Sequence, residues 1–352
     1  AACMHAGQRD VCLRALAERV AYPGRDPAAQ QIDLFQRDAL RRRRLAVGHQ
    51  ESDLPFDRQR RSLRYPARPM RRVCFYHAGC PDGFGAAWAV WKAWGKSGEY
   101  RPRGHDDVLQ FEGLVGAEVV FADIALANGP LRTLGQKAAR VVVLDHHVTA
   151  LERFRSDPEL TLDLGERGHV VNFDLTQSGA VLAWQHFHPE ADLPRLLAYV
   201  QDQDLWQWKL PNSDAVNAAI GIYPRRFDVW DRLAAEPIEK LVAEGRPIVR
   251  AQRAEIERAL QNAHSVTVGE LRLEAVNALF QRSSIGHELA KRKAFGTPCG
   301  LVYRLTERRV DCSVYSIGDF DVASLAASFG GGGHRNAAGF SIPLEDWLAH
   351  FV

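Results

Sequence analysis

The order of apolar segments predicts an α/β fold: an N-terminal domain on a parallel sheet, a smaller mixed α/β C-terminal domain, and an active-site cleft between them. Three observations predict it. Short apolar runs recur at 73–76 (VCFY), 118–122 (EVVFA), 140–144 (RVVVL) and 170–173 (VVNF), each leading into a polar loop and then a helix-forming stretch. Alternation of this kind is the pattern of parallel strands joined by crossover helices. The 352-residue length exceeds the span of a single hydrophobic core, which favours two domains. Beyond residue 264 the texture changes to strand-like segments at 265–275, 299–305 and 309–317, the last two a hairpin pair, with a helical stretch at 285–295.

Taken in order, residues 1–69 lack a strong apolar period and include the unbroken run Arg41 to Arg44. They read as a basic extension, disordered or non-native, with an RNA-gripping arm as the alternative. Met70 directly precedes the first strand and is a candidate start. Residues 70–210 hold the strand–loop–helix units and are assigned to the catalytic domain. Residues 211–264 are rich in helix formers, with Ile238, Leu241, Val242, Ile248, Val249, Ile256 and Leu260 at roughly helical spacing, and read as a helical connector. Residues 265–352 form the smaller, substrate-binding domain.

The net charge of +2 is unevenly spread, with +8 in residues 1–72 and −6 in the remainder. The working part of the chain therefore lacks the basic surface that long duplex nucleic acid requires, and a small nucleotide or short oligonucleotide fits better. The six cysteines show no C-x-x-C pair, and no apolar signal segment is present, so a cytoplasmic setting is expected. No run approaches the roughly 18 apolar residues of a membrane span. A homo-oligomer is compatible with this composition.

Ligands of open parallel sheets bind beyond the carboxyl ends of the strands, so chemistry is sought there. The tips carry His77 and Asp82, then Asp123, then Asp145, His146 and His147. A single aspartate at such a tip is ordinarily a helix cap. Three successive tips bearing ligand-type groups point instead to a metal site, and carboxylates mixed with imidazoles suit manganese. A bound cation compensates the burial of Asp145, His146 and His147 and lowers the pKa of bound water. Near the C-terminus, Gly330 to Gly333 precede His334, Arg335 and an apolar strand. Glycines there let backbone N–H groups approach an anion closely.

These residues fall into a known pattern. Val143-Leu144-Asp145-His146-His147 resembles the signature of the DHH phosphoesterases, His77-Ala-Gly-Cys80-Pro-Asp82-Gly83 their first motif, Phe121-Ala-Asp123-Ile124 the second and Asp202-Gln-Asp204-Leu-Trp206 the fourth. Phe329 to Phe340 resembles the glycine-rich motif of the subdomain that accompanies DHH domains. The resemblance implies two divalent metal ions, manganese with magnesium or cobalt as alternatives, held by His77, Asp82, Asp123, His146 and Asp202, with Asp123 bridging. Asp204 is the alternative to Asp202 in the fourth motif. It further implies that His147 faces the substrate phosphate, that Asp145 supports the neighbouring imidazoles, and that Gly331, Gly332, Gly333, His334 and Arg335 bind substrate. Many members carry two aspartates two positions apart in the first motif, where this chain has Cys80. A buried structural thiol is the reading of Cys80, with thiolate ligation as the alternative.

The implied activity is manganese-dependent hydrolysis of a phosphoester or phosphodiester bond. Substrates across the resemblance include short oligonucleotides, as for an exonuclease, nucleotide bisphosphates, cyclic dinucleotides and pyrophosphate. A nucleotide-binding regulatory protein with weakened or lost hydrolysis is the alternative. Trp88, Trp91 and Trp94 read as packing residues, Trp206 and Trp208 as core or interdomain contacts with base stacking as the alternative, and Arg282, Ser283 and Ser284 as possible neighbours of the substrate.

Overall fold

The computed structural model describes residues 70–350 apart from Asp106, and the expectations for residues 1–69 lie outside it. The first sheet comprises β1 (Arg72–His77), β2 (Gly98–Arg103), β3 (Glu118–Ala122), β4 (Arg140–Asp145) and β5 (Val170–Phe173). Between them run α1 (Pro81–Trp94), α2 (Asn128–Lys137), α3 (Val148–Arg155) and α4 (Pro158–Glu166). All five strands are parallel, in the order β2-β1-β3-β4-β5. Pleating sends successive side chains to opposite faces. Cys74, Val120, Ala122, Val142 and Leu144 enter one core, whereas Val73, Phe75, Val119, Phe121, Val141 and Val143 enter another. Burial on both faces is why these strands read as unbroken apolar runs.

The first core is filled by α1 and by α5 (Gly179–Phe187), α6 (Arg195–Asp204), α7 (Ser213–Ile222), α8 (Phe227–Ala235) and the start of α9 (Ile238–Leu260). Trp88 stacks on Trp184 at 5.6 Å and Trp91 on Phe227 at 5.1 Å, so these indoles do pack. The stretch 228–263, expected to be helical, is interrupted at Pro237, because the residue before a proline avoids the helical region. Over its 23 residues α9 spans two cores. Ile238, Leu241 and Val242 lie in the first, while Ile256, Ala259 and Leu260 pack against Val276, Ile285 and Leu289 beyond it.

The second sheet contains β6 (His264–Val268), β7 (Leu271–Asn277), β8 (Cys299–Leu305), β9 (Arg309–Ser316), β10 (Gly332–His334) and β11 (Ala337–Pro343), with α10 (Arg282–Arg292), α11 (Val322–Ser328) and α12 (Leu344–His350). Its order is β10-β11-β9-β8-β7-β6, antiparallel except between β7 and β8, where α10 supplies the crossover. The hairpin of β8 and β9 pairs as its alternation predicts. Strand β2 is an unforeseen element: its sequence GEYRPR is polar, and only a sheet edge tolerates Pro102 within it. Among the described residues, no helix is long and apolar enough to cross a membrane.

Candidate metal centre

The tips of β1, β3 and β4 deliver their polar residues to one place. Asp123 follows β3 in the left-handed region, φ 61°, a conformation that few non-glycine residues adopt. Its Oδ1 lies 3.0 Å from His146 Nε2, and its Oδ2 lies 3.3 Å from His77 Nδ1. The two oxygens of one carboxylate thus face two different imidazoles. Tight backbone packing makes this placement feasible. A Cβ on Gly179 would fall 2.3 Å from the Asp123 Cβ, and one on Gly83 would fall 2.1 Å from the His77 carbonyl oxygen.

Asp82, in the first turn of α1, is 1% exposed and accepts hydrogen bonds from the N–H groups of Gly179 (2.7 Å) and Ala180 (3.1 Å), at the start of α5. His146 Nε2 lies 3.7 Å from Asp82 Oδ2 and 3.4 Å from Asp204 Oδ2. Asp82, His146 and Asp204 form one set of donors whose ligand atoms lie within 4.8 Å of one another, and His77, Cys80 and Asp123 form another. Asp145 Oδ2 and His146 Nδ1 are buried without a hydrogen-bond partner, and Asp123 Oδ1 has no partner beyond His146 Nε2. Buried polar atoms left unsatisfied are costly, and an orphaned carboxylate oxygen among other anionic donors is where a cation fits. The acidic and imidazole groups present could therefore hold metal ions.

Charge balance within the cluster tells the same story. Burial, then Asp123 and Asp204, push Asp82 well above the usual carboxylate range. Burial also opposes the charged form of Asp123, but His146 and His77 overcome it and hold Asp123 well below that range. Burial pushes Asp204 up to about 6 against the pull of His146. For His146, burial is outweighed by Asp123, Asp204 and Asp82, and the imidazole is raised to about 10. So the carboxylates demand a positive charge at this point, and a proton on His146 supplies it in the absence of a metal.

His147 occupies the N-cap position of α3, and its Nδ1 lies 2.7 Å from Asp145 Oδ1, which also accepts from the backbone N–H groups of His146 and His147. Engagement of Nδ1 leaves Nε2 as the outward-facing nitrogen. His334, from β10 of the second sheet, stacks on His147 with ring centroids 4.7 Å apart and lies 5.2 Å from the His146 ring. Burial, then His147 and His146, lower His334 to about 3, so it is a neutral imidazole.

Several expected residues sit elsewhere. Asp202 is not brought to the cluster: its oxygens accept from the N–H groups of Lys209 (2.8 Å) and Leu210 (3.2 Å), ordering the turn after α6, and Asp204 takes the place beside His146. Arg335 turns to Asp319 on its own lobe. Gly331 N–H is committed to the Ala326 carbonyl, while Gly332 and Gly333 form the edge strand β10, with Gly332 against Thr149 of α3. Arg282 bonds Ser313 on β9. Trp206 and Trp208 meet edge to face at 5.1 Å, and Trp206 Nε1 donates to His287 of α10 at 3.4 Å. Sequence reasoning missed His105, whose ring lies 4.8 Å from His77 and 5.4 Å from His147.

No family model matches the chain. It is 27% identical to an uncharacterised protein, R106, of Acanthamoeba polyphaga mimivirus over 290 residues, 76% of this chain and 67% of that one. Among solved structures it is similar to a pGpG-specific phosphodiesterase, PggH, from Vibrio cholerae, with a TM-score of 0.41 and 12% identity over 79% of this chain and 95% of that one. It is also similar to an exopolyphosphatase-related protein from Bacteroides fragilis, with a TM-score of 0.39 and 13% identity over 77% and 86% of the two chains.

Proposed function

We propose that this chain is a metal-dependent phosphoesterase that hydrolyses a phosphoester or phosphodiester bond in a small nucleotide or short oligonucleotide at a two-cation centre. One observation carries the reading: the two oxygens of Asp123 face two separate sets of donors, 3.0 Å from His146 on one side and 3.3 Å from His77 on the other. That is the arrangement a carboxylate needs to bridge a pair of ions.

On this reading Asp82, His146 and Asp204 hold one ion and His77 the other, with manganese the ion that carboxylates and imidazoles favour and magnesium or cobalt as substitutes. Bound ions would supply hydroxide near neutral pH and neutralise charge on a phosphoryl group. Asp145 fixes the tautomer of His147, so that Nε2 faces the phosphate. His334 reaches the same place from the second lobe and adds a donor to the phosphoryl oxygens. A second lobe that brings His334 to the site favours a nucleotide-bearing substrate over bare pyrophosphate.

The test is a turnover panel with chelated and manganese-supplemented protein on dinucleotides, a 3′,5′-bisphosphonucleoside, cyclic dinucleotides and pyrophosphate. Manganese-stimulated hydrolysis of a nucleotide is expected, with Asp123→Ala and His146→Ala each losing several orders of magnitude in rate. Near-normal hydrolysis by either purified variant would overturn the reading. Nucleotide binding by the metal-loaded protein without turnover would favour a regulatory role instead.

A further inference from the structure

The two halves of the candidate centre are chemically unlike. On the His146 side the donors are the carboxylates of Asp82 and Asp204 and one imidazole. On the His77 side, Cys80 Sγ lies 3.6 Å from His77 Nδ1 and 3.5 Å from Asp123 Oδ2, and the three donor atoms lie within 4.8 Å of one another. His105 adds an imidazole to this corner, forming with His77 and His147 a further set of nitrogens within 4.8 Å. Carboxylate oxygens suit manganese or magnesium, whereas thiolate and imidazole select zinc and its close substitute cobalt.

We infer that the His77 half is a mixed sulfur, nitrogen and oxygen site in which Cys80 ligates as thiolate beside His77 and Asp123, and that it takes a zinc-class ion while the Asp82 half takes a harder one. This rests on the two-cation reading above. Ligation replaces the S–H bond by a sulfur–metal bond and the proton leaves to solvent, so no oxidant or reductant is required. Cys80 already has a structural task, since it caps α1 by accepting the Gly83 N–H at 3.2 Å. Capping alone does not explain a cysteine, because serine is the better cap. A thiolate can keep that hydrogen bond while binding a metal, whereas serine keeps the cap without being a soft ligand.

That difference supplies the test. Full-length protein is stripped with chelator and titrated with Co(II), in a background where Cys3 and Cys12 are replaced by alanine; Cys74, Cys299 and Cys312 are buried. A near-ultraviolet thiolate-to-cobalt charge-transfer band is expected, and Cys80→Ser should abolish it. Removing a direct ligand should also weaken zinc by at least the roughly 10–100-fold lost when an outer partner of a metal ligand is removed. Manganese at the other half should change far less. Absence of the band from the parent protein, or its persistence in Cys80→Ser, overturns the inference. If Cys80→Ser does not fold, alkylation of the parent protein followed by peptide mapping replaces it: zinc must protect Cys80 relative to chelated protein, and equal modification overturns the inference. A protein that binds no divalent ion and turns over no phosphoester would bring down the functional reading as well. One that binds ions and turns over without the band refutes the thiolate alone.

Discussion

At the scale of single residues, Asp202 and Asp204 show how far chemistry can be read from a motif. They sit two positions apart on α6, about 200° around the helix from each other, so only one can face the cluster. Both are acidic and both belong to the same motif, so residue type could not choose between them. The choice is made by the turn that follows, where the N–H groups of Lys209 and Leu210 require an acceptor and Asp202 provides it. Opposite phenotypes should result. Asp202→Asn places its amide NH2 against one of the two backbone N–H groups and should cost about 1–3 kcal/mol of stability while leaving metal content intact. On the proposed two-cation reading, Asp204→Asn should deplete the ion assigned to Asp82 and His146. Denaturant unfolding paired with elemental analysis reads both, and a reversed pattern would return the ligand role to Asp202.

At the scale of elements, legibility followed burial. The apolar runs of β1, β3, β4 and β5 announced themselves because a parallel sheet covered on both faces leaves little room for polar residues. That is also why the strand tips could be searched for chemistry. Strand β2 gave no such signal, and His105 went unseen with it. Arg103 pairs with His77 across the parallel ladder, so a residue two positions beyond β2 falls beside the tip of β1 only once that pairing is known. Helix α5 carries a separate and testable charge effect at its other end. Its start holds Asp82, while His186 in its last turn is lowered to about 4 by burial, with Arg140 adding to the effect. The unfolded chain takes up a proton near pH 6.5 and the folded protein only near 4, so stability falls as pH drops through that interval. His186→Gln should flatten this part of the stability profile without altering turnover at neutral pH. Chemical denaturation from pH 7 to 4 measures it, and an unchanged slope would refute the assignment.

At the scale of the whole molecule, the site is divided between two cores. The metal-ligand candidates belong to the first sheet and its helices, whereas His334 arrives from the edge strand of the second, and α9 packs into both cores. On the proposed function, such a division would let the second lobe act on the substrate without holding the metals. His334 has two readings that a substitution can separate. It belongs to a set of three imidazoles with His146 and His147 whose ligand atoms lie within 4.8 Å, which a metal could use. It is also a neutral ring stacked on His147, suited to donating one N–H to a phosphoryl oxygen. If donation is its role, His334→Ala should retain full metal content and lose about 10²–10³ in kcat, the usual consequence of removing one donor aimed at developing charge. His334→Gln should recover part of that loss, because the amide restores an N–H of similar reach. Metal analysis and steady-state kinetics on the same preparations decide between the two. Loss of an ion in His334→Ala would make the second lobe part of the metal centre, and closure of the lobes would then be a condition of metal binding.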